Sequence, residues 1–511
     1  MQLAREQWFT RATKMRVNEA YPSVNIDFFH CNTVRDAIGI RDKVEGTYFV
    51  TSIEFSGWSF GMPVAYVHLS DIHFGQERGG DRITNDDVKK ELIGDAARQV
   101  ADHFGKPATG IIVTGDVAYG GKEKEYTEAG LWLDKLAAAV GCSPTAVQLV
   151  PGNHDIDRNE ISGACTLMLE KIIADGEPQL DKFLKSEQDM ALLYAKFAAY
   201  GPFAEAYDCP LDRAGGHASD RRVELAPGRF LRFIGLNSAL ICSANDVEGK
   251  LLLGAAQRVL PRTPGEELVV LCHHPLNWLR DSEDILPYVR SRARVLVTGH
   301  EHQPSLKIEQ TEIGRDLMTL TAGATVPPSA KPPYTYTYNL LIFDWDADVD
   351  ALNVKVVPRC WSEKDTAFES DTKRLGGADP VNSLASPNFR AAPQPPSASA
   401  PSGTATPSVS IAPPQTQYAA GAPADERSDG GRSMPDSVQL FFLKFFRDLS
   451  PAQRLTILAE LGAIPSDFKQ NLTIGMERRI VDSLVQKNRL PDLEAATSRI
   501  QQSNRSGERH D

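Results

Sequence analysis

The chain has 511 residues, of which 41% are hydrophobic and 24% are charged, and its formal net charge is −12. These values are ordinary for globular proteins, so they exclude fibrous and fully disordered chains, and the length leaves room for about two to four domains. The acidic balance also argues against a general nucleic-acid coating protein, because neutralising phosphates requires a basic surface, although it leaves room for a localised site.

Cysteine usage and hydropathy indicate the compartment. The seven cysteines are scattered and never form a Cys-x-x-Cys pair, which argues against a disulfide framework and a thiolate zinc site and favours a reducing compartment. No apolar run approaches the roughly 18 residues that span a bilayer, and the first residues lack the apolar stretch of a secretory signal. We therefore expect a cytoplasmic protein without a membrane partner.

Residues 1–61 form a first segment with aromatic residues but weak periodicity. Met62 stands just before a strand-like run, so one hypothesis is that Met62 is the true initiator and that residues 1–61 are a mis-called start. The alternative is a genuine N-terminal extension that packs on the following domain.

Residues 62–360 are predicted to form one α/β domain. Short apolar runs alternate with amphipathic stretches, and this β-α-β-α-β order implies parallel strands joined by crossover helices. Residues 156–205 are mostly helix-forming and are expected to be a helical insertion. The strands are predicted at 64–69, 111–114, 147–150, 234–237, 268–272, 295–298 and 340–344, and the helices at 86–104 and 123–140.

Polar residues that can ligate metals follow five of these apolar runs. In open α/β sheets ligands bind outside the carboxyl ends of the strands, so we expect the five clusters to converge there. Six of the 11 histidines lie in the clusters, which chance explains poorly. The candidate residues are Asp71, His73, Asp116, Asn153, His154, Asp155, His273, His274, His300 and His302.

The donor atoms of these clusters indicate the metal. Imidazole and carboxylate without thiolate favour Mn, Fe, Zn, Ni or Co over Ca. Asp116 has two oxygens that can bridge two cations, and such a pair clamps the attacking and leaving oxygens of an in-line displacement, with a bridging water as the source of the hydroxide nucleophile. Gly115, Gly152 and Gly299 precede three clusters and permit close backbone approach, although ordinary turn glycines are also compatible with this pattern.

The ordered set of motifs resembles the calcineurin-like metallophosphoesterases over about residues 63–345. The motifs are Asp-x-His at 71–73, Gly-Asp at 115–116, Gly-Asn-His-Asp at 152–155, His-x-Pro at 273–275 and Gly-His-x-His at 299–302. The resemblance implies a four-layer α/β/β/α sandwich with two divalent metal ions. It implies that the first metal is held by Asp71, His73, Asp116 and His302, and the second by Asp116, Asn153, His273 and His300.

The resemblance also implies roles for the other residues of the motifs. His154 would not ligate a metal but would stabilise the transferring phosphoryl group or protonate the leaving oxygen, and Asp155 would orient His154. His273 is expected to be the ligand of its cluster, because the family's liganding histidine stands two residues before the proline, with His274 as the fallback. No position of the pattern is missing, so we expect an active enzyme.

The substrate is less determined, because the family includes cyclic-nucleotide phosphodiesterases, nucleases, nucleotidases and protein phosphatases. A nucleotide or cyclic nucleotide is favoured slightly over a polynucleotide. Tyrosine and threonine alternate at residues 334–338, which either line a base-stacking wall or form an ordinary amphipathic strand.

Residues 361–435 are predicted to be a disordered linker, because residues 391–425 are dominated by Pro, Ala and Ser and cannot bury enough apolar surface to fold. Residues 436–501 are predicted to form a small all-α module of four or five helices, with Ser450 and Gln453 as a capping box. This module faintly resembles effector-associated and death-like adaptor modules, which implies a protein partner, although an undefined helical bundle is an equal alternative. Residues 502–511 are expected to be a disordered tail.

The leading interpretation is therefore a phosphoesterase with a two-metal centre and a C-terminal interaction module. It would hydrolyse a phosphomonoester or phosphodiester. The alternatives are a nuclease that acts on polynucleotide, and an adaptor whose main role is recruitment through residues 436–501.

Overall fold

The computed structural model describes residues 61–76, 80–211, 216–310, 314–327, 334–373, 380–390, 435–465, 468 and 472–507, together with two short strands nearer the N-terminus. The chain divides into two compact units, Met1–Phe60 and Gly61–Asp511. In the first unit, β1 (Lys43–Val44) pairs antiparallel with β2 (Thr47–Tyr48). The hypothesis of a mis-called start at residues 1–61 otherwise lies outside the described residues.

The first sheet of the second unit contains the predicted β-α-β-α-β core. Its strands run in the order β14-β13-β12-β3-β4-β5, with β15 paired to β13; β3, β4 and β5 are parallel, and β12 runs antiparallel to β3. The crossovers are α1 (Gly80–His103) and α2 (Glu123–Val140). The strands are β3 (Val64–Leu69), β4 (Gly110–Val113), β5 (Val147–Leu149), β12 (Thr337–Asp346), β13 (Ala351–Ser362), β14 (Ala367–Ser370) and β15 (Val381–Leu384).

The second sheet has the strand order β10-β11-β9-β8-β7-β6, in which β7, β8, β9 and β11 are parallel. The short α7 (Ala255–Arg258) precedes β8, and α8 (Ser282–Arg292) crosses from β8 to β9. The strands are β6 (Ser219–Ala226), β7 (Arg229–Leu236), β8 (Glu266–Cys272), β9 (Ala293–Thr298), β10 (Ser305–Glu309) and β11 (Leu317–Thr321).

The two sheets pack face to face, with helices on their outer faces. Alternation along β3 turns Val64 and Tyr66 toward the core between the sheets and Ala65 and Val67 toward the helices. The rings of Tyr66 and Phe233 are 5.0 Å apart across the two sheets. The expected α/β/β/α architecture is thereby confirmed.

Four helices follow β5 in the segment that was predicted to be helical. Ser162 and Ser186 cap two of them by accepting backbone N–H bonds from Cys165 and Asp189. The helices are α3 (Gly163–Asp175), α4 (Glu177–Leu184), α5 (Glu187–Tyr194) and α6 (Tyr200–Ala206).

The predicted start of the linker at residue 361 is wrong, because the first sheet continues beyond it. β14 and β15 both pair with β13, and α9 (Pro387–Arg390) buries Phe389 in the core between the sheets. Each of these strands has only four residues, too few for a period-2 pattern to be recognisable in the sequence. The predicted linker from 391 to 434 lies outside the described residues.

The C-terminal segment is all-α, as predicted. α10 (Asp436–Phe442) continues as a π-helical turn (Leu443–Arg447), and α11 (Pro451–Glu460), α12 (Ile474–Gln486) and α13 (Leu490–Gly507) follow. The capping box between Ser450 and Gln453 is present at the start of α11. Because α13 continues to Gly507, the disordered tail predicted from residue 502 does not begin there.

The C-terminal module packs directly on the phosphoesterase-like part of the unit. The Arg447 guanidinium donates to both carboxylate oxygens of Asp134 at 2.8 and 2.9 Å and to the Tyr207 hydroxyl at 3.1 Å. Arg478 donates to Glu205 at 2.6 Å and to Asp208 at 3.2 Å. Phenylalanines of α10 and of the π-helical turn belong to the same hydrophobic core as α6.

Two whole-chain observations complete the description. Six cysteines in the described ranges are free thiols. No helix among the described residues combines the length and the apolar composition needed to cross a bilayer.

Candidate metal centre

The carboxyl ends of five strands meet at one site. The strands are β3, β4 and β5 of the first sheet and β8 and β9 of the second. The residues that follow them form four overlapping groups of His and Asp whose donor atoms lie within 4.8 Å of one another. Every histidine and aspartate expected to ligate a metal belongs to at least one group, so the clusters converge as the strand order predicts.

Asp116 lies between two histidines that come from different sheets. Its Oδ2 atom is 3.3 Å from Nε2 of His73 and 3.4 Å from Nε2 of His273. All three side chains are buried. One carboxylate oxygen therefore faces both halves of the site, as a bridging ligand must.

A second pair and a triad flank Asp116. On one side, Nε2 of His302 is 3.1 Å from Oδ1 of Asp71. On the other, Oδ1 of Asn153 is 3.1 Å from both Nε2 of His273 and Nδ1 of His300. The structure thus brings together all seven residues that were expected to be ligands.

Backbone carbonyls orient two of the imidazole rings. Nδ1 of His273 is 2.8 Å from the Thr114 carbonyl oxygen, and Nδ1 of His73 is 3.2 Å from that of Val326. A carbonyl oxygen can only accept, so each Nδ1 is the donor and each Nε2 is left with a lone pair for a metal.

The backbone is strained at five of the expected ligands. Asp71, His73, Asp116, His300 and His302 all have positive φ, between 53° and 73°. This region disfavours residues with a side chain, at a cost of about 1–3 kcal/mol each, and such strain clusters at functional sites. The surrounding hydrogen bonds, such as those from the backbone N–H groups of Asp71 and His73, hold the loops in this conformation.

The glycines before three clusters are required by space. A Cβ on Gly152 would lie 2.1 Å from Oδ1 of Asp116, and a Cβ on Gly115 would lie 2.4 Å from Nδ1 of His273. A Cβ on Gly299 would lie 2.1 Å from Oγ of Ser70. Each glycine lets a backbone approach a ligand or its partner, so the interpretation as ordinary turn glycines is insufficient.

The electrostatics of the site favour positive charge. Burial raises the pKa of Asp71, but its hydrogen bond with His302 and the charges of His302 and His273 outweigh burial and hold that pKa at about 2. Burial lowers the pKa of His273, but the Asp116 carboxylate outweighs burial and raises it to about 9. The carboxylates thus attract protons onto neighbouring imidazoles, and a divalent cation competes for the same positions.

These residues fit a pair of divalent cations. The donors are carboxylate, amide and imidazole atoms without thiolate, which suits the first-row transition metals named above. Asp116 would be the residue shared by both ions, and His73 and His273, whose rings are oriented by carbonyl oxygens, would each offer Nε2.

Asp155 does not orient His154 as expected. Nδ1 of His154 donates instead to the Tyr119 carbonyl oxygen at 2.8 Å. The Asp155 carboxylate accepts the backbone N–H groups of Ala118 and Gly152, each at 2.9 Å, and the Tyr126 hydroxyl at 3.1 Å. Asp155 therefore ties together the two loops that carry Asp116 and Asn153, and burial, followed by the charge of Asp116, raises its pKa to about 7.

His274 occupies a different environment from His273. Its Nδ1 is 2.8 Å from the Ser238 hydroxyl, and its Nε2 is buried without a hydrogen-bond partner among the described residues. Burial lowers its pKa well below the ordinary value. Because His273 alone of the two contacts both Asp116 and Asn153, the geometry supports His273 as the ligand.

Three aromatic residues lie beside the site. Two of them, Tyr119 and Trp278, were not predicted from the sequence, and Tyr334 was considered only as part of the alternation at residues 334–338. Tyr119 stacks on His154 with ring centroids 5.0 Å apart, and Trp278 lies 4.2 Å from His300. Tyr334 lies 6.2 Å from His302. Of the three, only Tyr334 belongs to a recognisable sequence pattern, the Tyr-Thr alternation at 334–338, and the other two tyrosines of that pattern do not contact the site.

The rest of that alternation is structural. The Tyr338 hydroxyl donates to buried Asp95 at 2.5 Å, and the Tyr336 hydroxyl donates to Asn85 at 2.7 Å. Both rings are buried against the first sheet, so the interpretation as an ordinary strand applies to them, and Tyr334 alone reaches the site.

Comparisons with known proteins agree with this site. Residues 65–304 match the family model described as calcineurin-like phosphoesterase, and residues 437–499 match the GTPase-associated adaptor domain. The uncharacterized metallophosphoesterase-like protein YydB of Bacillus subtilis (strain 168) is 23% identical over 317 residues, which cover 59% of this chain and 62% of that relative. The matched region thus spans less than two thirds of the relative's length.

The solved structures that this chain matches include a phosphatase and a nucleotidase. A dimetal phosphatase from Danio rerio is 12% identical, with a TM-score of 0.30, and the match covers 60% of this chain and 98% of that one. The NAD nucleotidase of Haemophilus influenzae is 10% identical, with a TM-score of 0.30, and the match covers 61% of this chain and 55% of that one.

The five motifs lie in residues 71–302, within the stretch 65–304 that matches the calcineurin-like phosphoesterase family model, and the C-terminal module matches the GTPase-associated adaptor domain.

Proposed function

We propose that this protein hydrolyses phosphate esters with the help of two divalent cations. The observation that carries the proposal is the position of Asp116, whose Oδ2 atom lies 3.3 Å from His73 and 3.4 Å from His273. Asp71 and His302 would complete one metal site, and Asn153 and His300 the other. When bound, the two cations would supply Lewis-acid activation of the ester and of the attacking water.

His154 is the residue proposed to act directly on the phosphoryl group. Its backbone N–H donates to Oδ1 of Asp116 at 2.8 Å, and Nδ1 of its ring donates to the Tyr119 carbonyl, so one hydrogen bond fixes the backbone and another orients the ring. This arrangement leaves Nε2 for a phosphoryl or leaving-group oxygen. Burial lowers the pKa of His154, which favours the neutral imidazole, whereas the negative charge of a bound phosphate would favour the protonated form that a general acid needs.

Asp155 is proposed to be a positioning residue. Through the N–H groups of Ala118 and Gly152 it fixes the distance between the Asp116 loop and the Asn153 loop. Removing this carboxylate would leave the N–H groups of Val117, Ala118 and Gly152 without this acceptor, and an unsatisfied buried N–H group costs about 1–3 kcal/mol.

A nucleotide or cyclic nucleotide is the substrate class that we propose. Tyr119, Trp278 and Tyr334 surround the metal centre on the sides of His154, His300 and His302, and Tyr119 is 39% exposed. Exposed aromatic faces stack on nucleobases, with about 1–3 kcal/mol per base. A polynucleotide would use the same rings and stays the second candidate.

The type of metal ion is proposed from the donor atoms of the site, and the location in the cell from the cysteines. Mn²⁺ is the ion that we would test first, with Fe, Zn, Ni and Co as alternatives that suit the same donors. A cytoplasmic location is proposed from the scattered free cysteines.

The test is turnover of a generic aryl phosphodiester with added Mn²⁺. We expect His154→Asn to lower kcat by about 10²–10⁴-fold while metal content, measured by plasma mass spectrometry, is unchanged. Asp116→Asn should lose both metal and turnover. His103→Asn, at the exposed end of α1, is the matched control and should behave as the wild type. Turnover indifferent to both His154→Asn and Asp116→Asn contradicts the proposal.

A panel of cyclic nucleotides, nucleoside phosphates, single-stranded DNA and phosphopeptides then separates the substrate classes. Preference for the polynucleotide would favour the nuclease alternative.

We further propose that the C-terminal module recruits a protein partner, for which the match to an adaptor domain is the support. An enzyme held beside a partner acts on that partner's substrate at a raised effective concentration. Affinity capture with the full chain and with a chain lacking residues 436–511 tests this role. If both chains capture the same partners, the module is not an adaptor.

A further inference from the structure

A groove of about 580 Å³ opens on the C-terminal module. One wall is a face of α12, and the other is formed by the end of α11 with the segment that follows it. Its apolar floor consists of Leu461, Leu472, Met476, Ile480 and Leu484.

The apolar floor is partly open to solvent: Met476 is exposed, Leu461, Leu472 and Ile480 are half-buried, and Leu484 is buried. Met476, Ile480 and Leu484 are spaced four residues apart, so they form one stripe along α12. The Met476 side chain is 43% exposed. Contiguous exposed apolar surface with a polar rim marks a site of interaction.

The rim of the groove is basic. Arg479, Lys487 and Arg489 line it, and none of the described residues that line it is Asp or Glu. Arg489 is held by Asp492 at 2.9 Å and by the Leu461 carbonyl oxygen at 2.9 Å. Arg479 and Lys487 are exposed and form no ion pair or hydrogen bond with any residue that the structure describes. Two unneutralised cations on an apolar groove call for carboxylates on the occupant.

The groove is separate from the surface that docks on the phosphoesterase domain. Arg478 pairs with Glu205 and Asp208 of that domain and lies 3.9 Å from the ring of Phe442 in α10 of the module. Arg479, the next residue, lines the groove. α12 therefore uses one face for the intramolecular contact and presents another face outward.

We propose that this groove binds an acidic amphipathic helix of a partner protein. The proposal rests on the adaptor role of the module and names the surface and the chemistry that this role would use. From Met476 to Lys487 the groove follows α12 for eleven residues, about 16 Å or three helical turns. A partner helix would lay apolar residues at i, i+4 and i+7 on this floor.

The basic residues set the spacing of the partner's carboxylates. Arg479 and Lys487 are eight residues apart, which is about 12 Å along α12. Glutamates about two turns apart on the flank of the partner helix would reach both. Single-stranded nucleic acid fits less well, because the floor offers aliphatic side chains and no aromatic ring on which a base could stack.

The test measures peptide binding to the full chain by fluorescence anisotropy. The probe is a fluorescein-labelled 18-residue helical peptide with leucines at i, i+4 and i+7 and glutamates two turns apart. A scrambled peptide of the same composition, a peptide with lysine in place of glutamate, and an 18-nucleotide single strand are compared with it. We expect the acidic amphipathic peptide to bind most tightly, and its affinity to fall as salt rises.

Variants locate the binding to the groove. The double substitution Arg479→Glu with Lys487→Glu should weaken binding at least about tenfold, or 1.4 kcal/mol. Met476→Ser should weaken it without any change of charge. The matched control is Lys444→Glu with Lys185→Glu, which makes the same charge change at two exposed lysines outside the groove. Circular dichroism checks that each variant is folded.

The groove assignment is overturned if the groove variant binds as the wild type does, if the lysine peptide or the oligonucleotide binds more tightly, or if the acidic peptide shows no binding near 1 mM, about −4 kcal/mol. The adaptor role fails separately, when partner capture does not depend on residues 436–511. Phosphodiester turnover of the same samples reports on the catalytic proposal alone.

Discussion

Adding one methyl group at Gly152 would displace the carboxylate proposed to bridge the two metals. The Cβ of an alanine at this position would lie 2.1 Å from Oδ1 of Asp116 and 2.5 Å from its backbone nitrogen. Ordinary contact begins near 3.4 Å, so the side-chain oxygen must move by about 1.3 Å, the difference between 3.4 and 2.1 Å. Rotation of the Asp116 side chain would relieve only the contact with Oδ1. The contact with the backbone nitrogen would remain, because the surrounding loop is held by hydrogen bonds.

This displacement acts on both halves of the site. Oδ1 of Asp116 accepts the His154 backbone N–H at 2.8 Å, while Oδ2 faces His73 and His273. A misplacement of about 1 Å in a catalytic constellation can cost about 10²-fold in rate. We therefore expect Gly152→Ala to lower kcat/KM about 100-fold and to weaken metal affinity about 10–100-fold.

The assay is aryl phosphodiester turnover as a function of Mn²⁺ concentration, together with metal content after gel filtration. Gly163→Ala is the matched control, because a Cβ there, at the start of α3, meets nothing within 4 Å. Both variants should keep wild-type circular dichroism. If the Gly152→Ala variant turns over substrate and binds Mn²⁺ as the wild type does, a Cβ at position 152 does not displace Asp116 and the prediction is refuted.

Three further predictions concern stability, pH and metal. Arg447→Ala should lower the free energy of unfolding by about 2 kcal/mol, because it leaves Asp134 unpaired at the module interface. The control Arg499→Ala removes an exposed ion pair and should change the free energy of unfolding by less than about 1 kcal/mol. Equal shifts of the melting temperature in the two variants would contradict this prediction. Burial, partly offset by Arg294, raises the pKa of Glu267 from 4.5 to about 7, so between these values the native state binds the proton more tightly than the unfolded chain and the free energy of unfolding falls as pH rises. Glu267→Gln should remove this pH dependence. If the melting temperatures of the wild type and of the variant change equally between pH 5 and 8, Glu267 is not its source. Removing metal with a chelator should abolish turnover and lower the melting temperature, and Mn²⁺ should restore both, because a ligand that binds only the folded state stabilises it; a melting temperature indifferent to chelation speaks against a metal centre in the fold.

The sequence predicts the catalytic core well for a physical reason. β3 was predicted at 64–69 and α2 at 123–140, and both have these bounds in the structure. Strands buried on both faces appear as short apolar runs, and five of the seven predicted runs here stop at a polar turn that carries candidate metal ligands. Parallel strands of one sheet end at the same edge, so the convergence of Asp71 and Asp116 follows from strand order, whereas His273 follows a strand of the second sheet and reaches them through the packing of the two sheets.

Contacts that depend on tertiary packing were not predictable in this way. Asp155 follows His154 directly, yet it bonds to backbone N–H groups and leaves the imidazole to the Tyr119 carbonyl, a choice that loop conformation decides. β14 and β15 form because β13 offers an unpaired edge, which is a property of the folded sheet and not of their own composition. Likewise, nothing in the pattern around Arg447 or Arg478 indicates that their partners lie more than 200 residues earlier in the chain.

The direct packing of the module changes what a break in the chain would do. Residues 391–434 connect α9 to α10, whereas the ion pairs and the apolar contact between the module and the domain involve neither end of that stretch. A protease that cleaves there would release no free module: the two fragments should migrate separately on a denaturing gel and together on a native one. The same interface would allow the two parts to be made as separate polypeptides and still assemble. The covalent connection would then only raise the effective concentration of the module near the domain that it already binds.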